Sequence, residues 1–572
     1  MSITTGDRVP RIYSGFRGVD FRGEEINLIR SPDSLNVWKD YKHTDSIRTR
    51  PAMAIKTAFD GVIYGIYFYG GNMLVHCGTK LYKVVGNTKT EIYSGLAERN
   101  SNAFVFNNKW YIKDGKNYLV YDGTEIKDVV GYVPTTSIGR KPEGGGTIYE
   151  DVNMLSDYRI NTFLGDGKSK EFYLDVTNWD SSEYPYITVT ELVEEDGKEV
   201  VRERRITNFA TKKHLGKIIL YEAPPVPYTD GKDNVTIRVK KPVEGYRDTI
   251  LKCTMLQVFD NRVFFSGNPD YPNRIFHCSL NDPTYVSDLD HYEEGTDQAA
   301  VRGMVAGNNA LWVFREPSES NTNVFYHTPT IDEQYGKVYP SSHSSITLGC
   351  VGKAINFNDD IIFFSDRGME GISGDITTEQ AAAHRSSLVD RKLLSDRTAY
   401  ENMLLEEWEG YLLVFVGNKV FLADSRTAFT NENHIEYEWF YWELDKEITC
   451  TRVYEGVLYL GTKDGIYTLT DTESAVESYW VTPKDKFKAP HKLKTTNKRG
   501  CVVEATGDIS LYAKLEDTDF ELIGAYENVT DYFVSRIKRK KFKDIQLKFY
   551  SNTRFTLETA TLECFIGGYI KR

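Results

Sequence analysis

The sequence predicts an all-β protein: a β-propeller of about seven blades with an inserted β-sandwich domain and a C-terminal β-domain. Three observations predict it. Aromatic residues make up 13% of the 572 residues, with 38 Tyr and 29 Phe, and such side chains suit half-buried pleated surfaces. A unit recurs in which a short apolar strand, a tight polar turn containing Gly, Asn or Asp, and a second apolar strand follow one another. The last four steps between copies are each about 50 residues, and a period of about 40 to 50 with roughly four short strands per repeat is the pattern of a propeller, whose blades bury their faces only against neighbours.

The seven copies begin at Ile63, Asn102, Cys253, Arg302, Gly352, Asn402 and Cys450. Their turns carry equivalent chemistry at equivalent places: Asn107-Asn108, Asp260-Asn261, Asn308-Asn309, Asn358-Asp359-Asp360 and Glu455-Gly456. Most of these residues tolerate positive φ, as a tight hairpin requires. The tryptophans Trp110, Trp312, Trp408, Trp439, Trp442 and Trp480 lie mainly in the strand repeats and read as blade core.

The chain divides on this reading into an N-terminal arm (1–50), a first propeller part (51–134), an insert (135–246), a second propeller part (247–472) and a C-terminal β-domain (473–572). The insert explains the long step between the second and third copies. It opens on a Gly-rich linker, Lys141 to Gly146, and continues as alternating strands separated by Gly/Asp turns, the grammar of a small sandwich. After Asp471 a basic linker precedes the strands ISLYAKL, FELIGAY, DIQLKFY and ATLECFIGGYI. One helix is expected, in TTEQAAAHRSSLVDRKLL, where Thr377 and Gln380 make a capping box and Leu388, Leu393 and Leu394 supply an apolar face. The arm has too few periodic apolar positions for a core of its own, so it is expected to dock elsewhere, on a neighbouring subunit.

No apolar run resembles a signal peptide or a membrane span, so a cytoplasmically made, non-membrane protein is expected. The seven cysteines are odd in number and widely spaced, without a CxxC pair, and read as reduced core thiols. A formal net charge of -12 argues against sequence-scanning DNA binding, which needs a basic footprint. It fits a wall that repels DNA.

Two segments carry a family resemblance. SGFRGVDFRGEEINLIRSPDSLNVWKDYKHTDSIRTRPAM, with Asn36 and the run Arg48 to Pro51, resembles the N-terminal arm of the tail hub, nozzle and DNA-stabilisation proteins of short-tailed bacteriophages. VFDNRVFFSGNPDYPNRIFHCSLNDPTY, with Gly267-Asn268-Pro269, Pro272-Asn273 and Asp282-Pro283, is similar to their most recognisable blade. The insert's FLGDG and YEAPP phrases look like a sandwich module of phage structural proteins. The resemblance implies a virion protein assembled in the host cytoplasm. It implies a homo-oligomeric ring, often a hexamer, around the DNA channel, with portal or adaptor proteins above, fibre or needle proteins below, and passive contact with viral DNA.

Site candidates are few. No HExxH, GxSxG, Walker or Ser/His/Asp phrase appears, and the ten histidines never take metal-ligand spacing. The expectation is no enzyme, no cofactor and no metal. A propeller glycosidase would need two carboxylates in a pocket; Asp366 and Glu370 are the nearest pair and read as a hairpin turn, and Asp260, Asp359 and Asp360 as solvated turns. Arg48 and Arg50 either anchor a neighbouring subunit or mark a chain reversal before Pro51. The run Arg536, Lys538, Arg539, Lys540 and Lys541 either contacts DNA or an acidic partner, or forms a solvated strand edge. A receptor- or glycan-binding propeller is the alternative function, and it would show a surface rimmed by Trp and Tyr.

Overall fold

In a computed structural model, residues 7–569 are described apart from 24–26, 44, 197, 334–335, 373–380, 432–433, 472–474 and 538–540. The protein is all-β, with Tyr246–Leu251 and Asp390–Leu393 its α-helices among the described residues. The sevenfold repeat folds as seven four-stranded sheets, A to G in chain order. Every sheet starts with a hairpin closed by two left-handed residues. They are Gly70-Gly71, Asn107-Asn108, Asp260-Asn261, Asn308-Asn309, Asn358-Asp359, Glu409-Gly410 and Glu455-Gly456, with φ between 47° and 78°. That geometry matches the right-handed strand twist, which is why Asn, Asp and Gly dominate there. The second strand of a sheet is covered on both faces, and its sequence is apolar without alternation: Asp360–Ser365 and Tyr411–Val416 are buried throughout.

The chain forms two compact units. The first comprises Met1–Asn100, Arg302–Thr328 and Ser342–Arg572. In it sheets D, E, F, G and A pack in succession. Phe314 meets Ile361 and Phe363, Phe364 meets Leu412 and Val414, Leu413 meets Leu458 and Leu460, and Cys450 meets Ile63 and Val75. Sheet G has three strands from Cys450 to Thr470, and its fourth is Ala52–Ala58, from the opposite end of the chain.

The second unit comprises Ser101–Val301 and Pro329–Ser341. Sheets B and C share a core in which Tyr111 and Tyr118 meet Val263 and Phe265. The insert is a sandwich of a six-stranded sheet and a three-stranded sheet over Phe163, Phe172, Ile187, Ile218 and Ile237. Its boundary differs from the expected 135–246. Met154 and Leu155 are buried in the core of sheets B and C, and the Asn153 side chain ties Tyr132 and Thr284 carbonyls to the Val286 amide. The stretch around residues 153–155 therefore belongs with sheets B and C.

The N-terminal arm corrects a larger expectation. It is built into its own chain, as part of an eleven-stranded sheet around the 24-residue strand Lys492–Leu515. Asp7–Tyr13 pairs with the last strand from Ile566 to Ala560, Ile47–Thr49 with Leu557 and Thr556, and Ser34–Leu35 with Trp480 and Tyr479. Tyr13, Phe16, Val37, Trp38 and Ile47 are buried. Trp38 stacks on Trp408 at 5.5 Å and meets Trp442 edge-on at 5.5 Å. Residues 473–572 are accordingly no separate domain, since arm and C-terminal strands share one sheet.

The expected long helix is also absent. Thr377 and Gln380 lie outside the described residues, and Ala382–His384 is the fourth strand of sheet E, paired with Ile372, Gly371 and Glu370. Pairing outweighs the helix propensity of the alanines. Among the described residues of this segment the α-helix is Asp390–Leu393, with Leu388, Val389 and Leu393 packed into the core of sheets E and F.

Gly18 tests the arm's docking. Its φ is 76°, a side chain there would run into the Trp439 carbonyl, and the next amide, Val19, donates to that carbonyl at 2.7 Å. Gly15, at φ 62°, has open space beside it. Gly18→Ala should cost about 2 kcal/mol or more, and Gly15→Ala about 1 kcal/mol of backbone strain alone. Thermal unfolding followed by circular dichroism compares the two; equal costs would place the arm elsewhere.

Candidate functional site: a charge cluster on sheet E

The sequence candidates separate in the structure. Arg50 is 1% exposed and spent inside the chain: it donates to Asn36 Oδ1, the Pro51 carbonyl and the Glu443 carbonyl, each at 2.9 Å. Burial pulls its guanidinium down to about 10, against the opposing pull of Asp445. Arg48 pairs with Asp40 at 2.5 Å and with Asp471 at 3.3 Å. Both arginines hold the arm rather than a neighbour. In the basic run, Lys538, Arg539 and Lys540 lie outside the described residues. Arg536 and Lys541 line a cavity of about 250 Å³ with Glu516, Glu521, Ile537 and Phe542.

Two turn acids are used structurally instead of being solvated. Asp360 is 4% exposed, receives the Arg385 guanidinium at 2.8 and 3.2 Å, and accepts from the Tyr437 hydroxyl at 2.8 Å. Asp260 takes the Tyr339 hydroxyl at 2.6 Å and the Lys337 ammonium. Tyr339 is itself buried among Phe259, Phe264 and His277.

Glu370 is the candidate the structure enriches. It stands on the third strand of sheet E, buried, directly opposite His384 on the fourth. The Nδ1 of His384 meets Glu370 Oε1 at 2.8 Å, and its Nε2 meets Asp390 Oδ2 at 2.6 Å. Asp390 Oδ1 accepts from Ser386 Oγ at 2.6 Å, and that oxygen accepts from the Met369 amide at 2.9 Å. A cleft of about 590 Å³ opens beside the group, lined by Ile346, Leu348, Arg367, Glu370, Ala382 and His384. Asp366 sits apart, in the turn before Gly368. Sequence reading named Glu370 and missed His384 and Asp390, because only the strand pairing brings together residues well apart in the chain.

Burial pushes His384 down, but the hydrogen bonds to Asp390 and Glu370 outweigh it and lift the imidazole to about 9. At neutral pH both nitrogens donate and the ring is a cation. A general base needs a neutral ring with one nitrogen open to its nucleophile. Here neither is open, and Ser386 addresses Asp390 instead of the imidazole. The arrangement is a clamp joining strand to helix.

All seven cysteines are free and buried. Burial raises the thiols of Cys253, Cys278, Cys450, Cys501 and Cys564 to about 12 and that of Cys350 to about 11. Among the described residues no group of His, Cys, Asp and Glu is placed to hold a metal, and no helix is long and apolar enough to cross a membrane.

No family model matches the chain, and no curated protein does. Solved structures with some likeness include the extracellular domain of a putative one-component system from B. thetaiotaomicron, with 8% identity, 90% of this chain and 78% of that one covered, and a TM-score of 0.25. Hsv2 from Kluyveromyces lactis has 9% identity, covering 68% and 98%, with a TM-score of 0.24. An exo-β-1,3-galactanase from Phanerochaete chrysosporium has 7% identity, covering 54% and 94%, with a TM-score of 0.22. Likeness that weak transfers no activity to this chain.

Two outcomes follow from the site chemistry. Because His384 titrates higher folded than the roughly 6.5 of a free imidazole, its stabilisation is complete below about 6.5 and is lost as pH rises through about 9. The melting temperature of the parent protein should fall over that window relative to His384→Gln; parallel curves would dissolve the clamp. Secondly, no thiol should react with a water-soluble disulfide reagent in the native protein at pH 8, and all seven should react in denaturant.

Proposed function

We propose that this chain is a non-enzymatic structural protein of a bacteriophage particle, whose seven sheets are the blades of one propeller and which forms an oligomeric ring in the tail or neck around the DNA channel. In that place it retains packaged DNA and guides ejection. The observation that carries the scaffold reading is the fate of the reactive groups. Glu370, His384, Asp390, Asp360 and Asp260 hold strands together, and the thiols are buried. Completion of sheet G by Ala52–Ala58 supports the propeller, since a radial array shuts without open edges when its last blade borrows a strand from the start of the repeat. The resemblance of the arm and of the blade around Gly267 to Pro283 supports the virion role.

With the arm consumed within the chain, the ring contact falls to other surface, and portal, adaptor, fibre or needle proteins meet the blades, the insert or the eleven-stranded sheet. The acidic balance, -12 overall, favours a wall along which DNA slides.

Immunogold labelling of intact phage particles should mark a ring at the tail or neck, and the isolated protein should bind duplex DNA weakly at physiological salt. Absence of label from every particle would remove the virion role. Hydrolysis of a polysaccharide, abolished by one carboxylate substitution, would overturn the non-enzymatic reading.

A further inference from the structure

The geometry points to a binding platform for an acidic polysaccharide on the outer face of the insert's six-stranded sheet, where two arginines alternate with two tyrosines. Strand alternation sends Ile187, Ile237 and Val239 into the sandwich core and leaves Tyr158, Arg238, Tyr186 and Arg205 on the opposite face. The four lie on adjacent strands in the order Tyr158–Phe163, Val235–Lys240, Tyr186–Glu195 and Lys198–Ile206. Arg238 lies 5.2 Å from the Tyr158 ring and 5.0 Å from that of Tyr186, and Arg205 lies 4.7 Å from Tyr186. The result is a ladder of ring, cation, ring and cation across the sheet.

The ring contacts restrain the guanidinium groups, and neither Arg205 nor Arg238 makes a hydrogen bond or ion pair among the described residues. Other cations of the insert are paired: Arg204 with Glu191 at 2.8 Å and Lys217 with Glu171 at 2.7 Å. Tyr158 is held by its hydroxyl, which donates to Glu183 at 2.7 Å, and Lys240 reaches the same carboxylate at 3.2 Å. A rigid planar fork without a partner matches a carboxylate held edge to edge. Tyr184, 92% exposed beside the ladder, offers an apolar ring face to the C–H face of a pyranose.

Charge density selects among anionic chains. The two forks are two strand spacings apart, about 10 Å, and Glu203 stands on the ladder's own face while Glu183 lies in the bend that precedes Tyr186–Glu195. A phosphodiester chain, with a charge on every unit, demands a uniformly basic track. A uronate polymer with one carboxylate per disaccharide presents sparse charges at wide spacing, separated by uncharged rings. This site does not depend on the virion reading, and its test uses the isolated full-length protein.

Hyaluronan should bind the protein at low salt and weaken as salt rises, and Arg205→Gln with Arg238→Gln should lower affinity about tenfold or more. Dextran, poly-L-glutamate and oligothymidylate serve as neutral, peptide and nucleic-acid comparisons. Absence of hyaluronan binding would overturn the proposal, as would unchanged binding by the double variant or equal binding of any comparison polymer. Should the double variant lose its β signal, Arg205→Lys with Arg238→Lys keeps both charges and removes the forks. A loss of affinity in that pair supports the site, and unchanged affinity overturns it.

Discussion

The pairing of Ala52–Ala58 with Gly465–Thr470 is the interaction on which the rest of the first unit depends. Sheet G contributes to two of the shared cores, with sheet F through Leu458 and Leu460 and with sheet A through Cys450 and Ile466. Its fourth strand carries two large apolar side chains, Met53 and Ile55, and Ile55 is 55% exposed, so apolar burial alone gives it limited hold. The hold comes from just upstream. Arg50 spends its guanidinium on Asn36, Pro51 and Glu443, and the Asn36 oxygen also accepts from the Glu443 amide. A buried cation without such acceptors would cost several kcal/mol; with them it fixes where the chain enters the sheet. Beyond that node the arm's aromatic residues enter the same core as the C-terminal strands, so the two ends of the sequence stabilise a single structure.

What was legible in the sequence was local. The two-residue turns announced their left-handed backbone through Asn, Asp and Gly, and the six tryptophans in or near the repeats are all buried. The sandwich grammar of the insert was readable for the same reason, since alternation and turn chemistry act within a few residues. What was not legible was set by contacts distant in sequence. Gly18 is glycine because the Trp439 carbonyl crosses it. Arg48 and Arg50 could be read as subunit anchors or as a chain reversal because their partners, Asp40, Asn36 and Glu443, are defined only by the fold. Ala381 to Ala383 have strong helix propensity, yet Ala382 and Ala383 serve as an edge strand once Gly371 and Ile372 are in place. Glu370 was visible as an acid, but its role required His384, which only the strand pairing sets opposite it.

The charged groups divide by what surrounds them. Asp360 with Arg385, and Glu370 and Asp390 with His384, sit where strands meet and have their hydrogen-bonding capacity largely used. Such pairs add little net stability over apolar packing, but they exclude alternative registers, because a slip of one residue would strand a charge. In seven sheets built on one strand–turn–strand pattern, that exclusion has value beyond its energy.

The borrowed strand also sets a timetable. Ala58 pairs with Gly465, roughly 400 residues later, and at about 5–20 residues per second of synthesis the strand waits some tens of seconds for its partner to emerge. During that interval one face of the strand, Ala52, Ala54, Lys56 and Ala58, presents little apolar surface, while Met53 and Ile55 stand on the other. The waiting segment therefore offers the aromatic strands made in between a single apolar face until Gly465–Thr470 emerges.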